Sequence, residues 1–205
     1  MEHIKETIHD ILTERSESFI DTLTDNELVK QIPCIKTLIA LREDTLSYLE
    51  KRKREQIIEF LKNCNELSAK DITSFMNKHI KSTEKTGERI LDSVLSMNLI
   101  DKAALAGRLY SKVVSRDTNY EDYFRLAQII QNCFYEDLYA LTFFKDNVEF
   151  TNDGNHCSPL SISNLFHLGL LKLSNDFDGG TALAPEKSYE SYFITDYGKL
   201  IRDCL

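Results

Sequence analysis

The chain has 205 residues, 42% of them hydrophobic, with 7 glycines and 3 prolines: enough apolar material for a sizeable core and too little Gly and Pro for low-complexity sequence. Its formal net charge is −8, a balance that disfavours broad neutralisation of phosphates. No apolar run reaches the roughly 18 residues of a membrane span, and the charges between Met1 and Asp10 do not suit a signal peptide, so a cytoplasmic location is expected.

Ile4, Ile8, Ile11, Leu12, Phe19 and Leu23 fall at helical spacing and predict one amphipathic helix over residues 3–30, or two broken near Ser16 to Ser18. Pro33 resets the backbone and opens a helical pattern that runs to about Cys64. Its apolar stripes, Ile35 to Leu49 and Ile57 to Leu61, are separated by Lys51-Arg52-Lys53-Arg54, where the helix either bends or protrudes beyond its packing partners. Ser68 with Asp71 reads as a capping-box variant before a helix ending near Ile80. A turn around Ser82 to Gly87 precedes a helix holding Ile90, Leu91, Val94 and Leu95, and Asp101 is expected to cap the next, with Leu105, Leu109 and Val113. Thr118 with Glu121 opens the most strongly amphipathic segment, in which Tyr120, Phe124, Ala127, Ile130, Phe134, Leu138, Leu141 and Phe144 keep a 3-4 rhythm to about Lys145. Residues 1–145 are therefore expected to form a helical bundle.

Residues 146–205 read differently. Val148 to Thr151 suggests a short strand, and Asn152 to His156 a turn. Ser158 followed by Pro159 is a helix start with Pro at the favoured first position. Gly169 ends that helix, Leu170 to Leu173 and Tyr189 to Ile194 read as strands around a loop with Asp178-Gly179-Gly180, and Thr195 caps a last helix. This order resembles the end of a winged-helix domain, so the fold class expected is mainly α, a helical bundle with a small C-terminal α+β winged-helix-like element packed on it. In such an element the helix before the wing is the recognition helix. Its outward candidates are Ser161, Ser163, Asn164 and His167, with Lys172 in the wing. None of the helical candidates is Arg or Lys, the usual guanine readers, although Asn164 has the groups to read adenine. Protein contact or packing on the bundle is favoured over DNA binding.

No catalytic, cofactor or metal set emerges. The five cysteines include no Cys-x-x-Cys pair and are expected to be reduced and structural. His156-Cys157 beside Asp153 is a local group with metal-capable side chains, but a tetrahedral site needs further ligands from elsewhere. Gly179-Gly180 lacks the strand-to-helix setting of a phosphate loop. The Lys51 to Arg54 run points around the whole helix circumference and reads as a solvated stretch; an acidic partner surface, nucleic acid or anionic lipid are the functional alternatives. Charges at Lys36, Arg42, Glu43 and Asp44 weaken any peripheral membrane contact. Residues 119–157 hold 2 basic and 7 acidic side chains, net −5, whereas residues 31–118 are net positive.

Short pieces of the chain carry a family resemblance: Ile32-Pro-Cys-Ile-Lys36, Lys53-Arg-Glu-Gln-Ile-Ile-Glu-Phe-Leu61, Tyr123-Phe-Arg-Leu-Ala-Gln-Ile-Ile130, Asp137-Leu138, Leu168-Gly-Leu-Leu171 and Ile194-Thr-Asp-Tyr-Gly198. Over residues 28–205 the chain resembles a family of small bacterial helical proteins of accessory or mobile-element type. That resemblance implies a bacterial or phage origin and a helical fold with a winged tail, and it brings no catalytic residue. The function expected is a non-enzymatic interaction or regulatory protein of the bacterial cytoplasm. It would act through protein-protein contacts or self-association, and the resemblance points to an accessory or phage-defence system. The alternative is a winged-helix DNA-binding transcriptional regulator.

Overall fold

The computed structural model describes residues 47–64, 74, 75, 78, 83–116, 118–151, 156–174 and 191–205. The helices expected before residue 47 and between Ser68 and Ile80, the turn at residues 152–155 and the wing tip at 175–190 lie outside the described residues or almost wholly so. The described part is mainly helical with a small antiparallel sheet. The chain divides into two compact units between Gln131 and Asn132, so residues 132–145 belong with the C-terminal residues.

In the first unit, α1 (Tyr48–Lys62) buries Ile57, Phe60 and Leu61, the i, i+3, i+4 repeat of one helix face, and Cys64 in the turn that follows is buried as well. That face lies on α3 (Ile100–Ser115), which is buried along most of its length. The approach is close because residue 107 is glycine: a Cβ there would stand 2.3 Å from the Phe60 carbonyl oxygen. Polar bonds add to the contact. Arg108 donates to Asn63 Oδ1 at 2.9 Å, and in the first half and middle of α1 Arg52 and Gln56 donate to the carbonyls of Asn98 and Met97, in the connection before α3.

α2 (Thr83–Leu95) runs unbroken through Gly87, so the turn expected around Ser82 to Gly87 does not extend that far. Asp101 does not cap α3; Leu99 stands at the cap without a side-chain bond, and Asp101 lies inside the first turn, where a carboxylate suits the helix dipole. The cap of α4 (Tyr120–Asn132) falls one residue later than expected: Asn119 Oδ1 accepts from the Glu121 amide at 3.1 Å, while Thr118 turns back to the Val113 carbonyl. Tyr123 is buried with its ring edge-on to Tyr110, centroids 5.4 Å apart. The last carbonyls of a helix lack intrahelical partners, and here Lys102, only 2% exposed, reaches the Gln131 carbonyl with Nζ at 2.9 Å.

The long helix expected to reach Lys145 ends at Asn132. Phe134 is extended (φ −66°, ψ 140°), and the chain restarts as α5 (Tyr135–Tyr139), tightening into a 3-10 turn over Ala140–Phe143. The break keeps the apolar spacing nearly in phase, which is why periodicity alone reads through it.

In the second unit, β1 (Phe150–Thr151), α6 (Pro159–His167), β2 (Leu171–Leu173), β3 (Ser191–Ile194) and α7 (Asp196–Arg202) follow. The sheet order is β1-β3-β2, antiparallel throughout, with Leu171 opposite Ile194 and Phe150 opposite Tyr192. Tyr192 and Ile194 are buried and Ser191 and Phe193 less so, the two-residue alternation of a strand with one covered face. Ser158 caps α6, accepting from the Leu160 amide, with Pro159 in the first turn. Gly169 takes the left-handed conformation (φ +72°) between α6 and β2. Thr195 caps α7 by accepting from the Gly198 amide at 3.1 Å, and its hydroxyl donates back toward the Gly169 and Leu170 carbonyls.

Candidate functional site

α5 and α6 pack on one another in the C-terminal unit, and their contact is polar at its centre. Asp137, in the first turn of α5 and 8% exposed, accepts from Ser161 Oγ at 2.6 Å on one carboxylate oxygen and from Asn164 Nδ2 at 2.8 Å on the other. The donors are three residues apart on α6, one turn of the same helix face. A buried carboxylate without such partners would be costly, so these side chains are committed to holding α6 in place. The expectation that Ser161 and Asn164 face outward as recognition residues is therefore corrected.

The remaining candidates stay accessible. His167 and Lys172 are exposed and Ser163 is half-buried. Lys172 Nζ lies 5.9 Å from the centre of the Phe193 ring, across the β2–β3 pair. Leu160, Ser163 and His167 recur at i, i+3 and i+7 and share the exposed side of α6.

The same unit also exposes large apolar side chains that the sequence pattern did not mark as exposed. Phe134 is 71% exposed, Leu160 68%, Tyr139 57% and Phe143 46%. Phe134 had been expected within the buried stripe; the restart of the chain at that residue turns it out. The spacing of Tyr139 and Phe143, four residues apart and off the Leu138–Leu141 line, is the signal that could have found that pair. His156 is exposed with its ring 6.1 Å from that of Phe143, while its neighbour Cys157 is buried. Burial pushes the Cys157 thiol above its ordinary range, which keeps it protonated and a poor nucleophile near neutral pH.

At the far end of the unit, Arg202 donates to the Phe144 carbonyl at 2.9 Å and pairs with Asp146 at 2.7 Å and Asp203 at 3.0 Å. The Asp203 bond most of all, then Asp146, raise its pKa further against the opposing effect of burial. It is an anchor for α7.

The basic run lies in the first unit and does not act as one stripe. Lys51 and Lys53 are exposed, Arg52 is taken up by the Asn98 carbonyl, and Arg54 is half-buried with no hydrogen-bond partner for its Nε among the described residues. Of the local His156-Cys157-Asp153 group, Asp153 lies outside the described residues, and among those described no group of three or more His, Cys, Asp or Glu is placed to hold a metal ion.

Comparison with family models, with curated proteins and with solved structures finds no match to this chain. No helix among the described residues is long and apolar enough to cross a membrane.

Proposed function

We propose that this chain is an interaction or regulatory protein acting through protein contacts, and that the exposed apolar side of α5, the 3-10 turn and α6 is its contact surface. The observation that supports this reading is the exposure of Phe134, Tyr139, Phe143 and Leu160 on or beside α5, the 3-10 turn and α6, elements that contact one another through α5. Large apolar side chains exposed together mark contact sites, and aromatic residues are enriched at their centres. The resemblance in sequence adds a bacterial accessory or phage-defence setting to the proposal. It carries no chemical step. The test is a triple variant, Tyr139→Ser, Phe143→Ser and Leu160→Ser, compared with the native chain by sedimentation velocity and by quantitative co-purification from the host. Self-association, or a defined protein whose binding is rebuilt from purified components, should be lost in the folded variant. A native chain that is monomeric and partner-free, or a partner retained by the variant, overturns the reading.

A second reading, a winged-helix DNA-binding regulator, is favoured by one observation: α6 leads into the antiparallel β2–β3 pair, and α7 follows, with β1 on the other side of β3. The described residues between β1 and β2 hold one helix, whereas a helix-turn-helix uses two. Ser163, His167 and Lys172 are the side chains left to meet a duplex, because Asn164 is held by Asp137. Fluorescence anisotropy with the gene's own upstream duplex and a random control decides it. Binding that weakens with salt and is lost in a His167→Ala, Lys172→Ala variant supports it; no affinity at low salt removes it.

A further inference from the structure

We draw no further inference here: the strongest candidate, the exposed apolar side of α5 and α6 around Tyr139, Phe143 and Leu160, belongs to the surface already described, and nothing in the structure shows what covers it.

Discussion

Replacing Asp137 with alanine should loosen α6 from α5, and the size of the effect follows from the geometry. The carboxylate accepts two short bonds, 2.6 Å from Ser161 and 2.8 Å from Asn164, and is itself 8% exposed. Hydrogen bonds to a charged group contribute about 1.5–3 kcal/mol each. Ser161 and Asn164 are half-buried, so water can reach them once the carboxylate is gone, and the sum falls to the lower end, about 3 kcal/mol. At about 1.4 kcal/mol per decade that is on the order of a 100-fold rise in the local opening constant. Native-state hydrogen exchange of the α6 amides reads this directly and does not require the whole chain to unfold in one step. Asp137→Asn keeps an acceptor oxygen for Asn164 and can donate to the Ser161 hydroxyl, which also accepts, so it loses the charge but not both bonds and should cost about half as much. Adding Ser161→Ala and Asn164→Ala to Asp137→Ala should cost little more, since the bonds are already gone. Protection of α6 in Asp137→Ala equal to that of the native chain would refute the reasoning and return Ser161 and Asn164 to the list of free surface groups.

Gly107→Ala places a Cβ 2.3 Å from the Phe60 carbonyl oxygen and 3.0 Å from Asn63 Cβ, so α1 and α3 must separate. A loss of about 1–3 kcal/mol in urea denaturation is expected, and an unchanged midpoint would show that the crossing is looser than the backbone distance implies. Lys102→Met keeps most of the side-chain volume but removes the bond to the Gln131 carbonyl at the end of α4, for an expected loss of about 1–3 kcal/mol; a raised midpoint would mean that burying the ammonium group outweighs its interactions. For Cys157 the raised pKa means the folded chain keeps a proton that the unfolded chain releases above the ordinary thiol value of 9.0. Its contribution to stability is therefore complete below about pH 9 and is lost as pH rises beyond it, so Cys157→Ala should flatten the alkaline fall in stability. An identical fall in both chains would place the cause elsewhere.

Local features of the C-terminal unit were legible because their physics is local. Ser158-Pro159 and Thr195 are caps whose bonds reach only two or three residues along the chain, to Leu160 and Gly198. Gly169 marks the one glycine among the described residues with positive φ, at the turn its position suggests. Periodicity likewise places Ile57, Phe60, Leu61, Ile90, Val94 and Leu105 in the core, where they are buried, whereas Leu91 and Leu95 of the same pattern are half-buried and Leu49, in the stripe before the basic run, is 66% exposed. The break at Phe134 was not legible, because the apolar rhythm continues through it with nearly the same spacing. The exact caps of α3 and α4 also differ from expectation: Thr118 and Asn119 offer equivalent acceptors at the start of α4, and at the start of α3 the chain's path puts Leu99 at the cap with no side-chain bond.

The candidate surface divides in the same way. Sequence alone determined that residues 158–168 form a capped helix leading into a strand, and that consecutive lysines and arginines from Lys51 to Arg54 cannot share one face. Only the tertiary structure decided which polar groups on α6 are free. Ser161 and Asn164 are turned to a carboxylate 24 and 27 residues earlier in the chain, whereas Leu160 and His167, on the same short helix, remain exposed. Helical periodicity turns Ile162 and Leu165 inward, as the structure shows, but it takes the position of Asp137 on another helix to engage the half-buried Ser161 and Asn164 beside them.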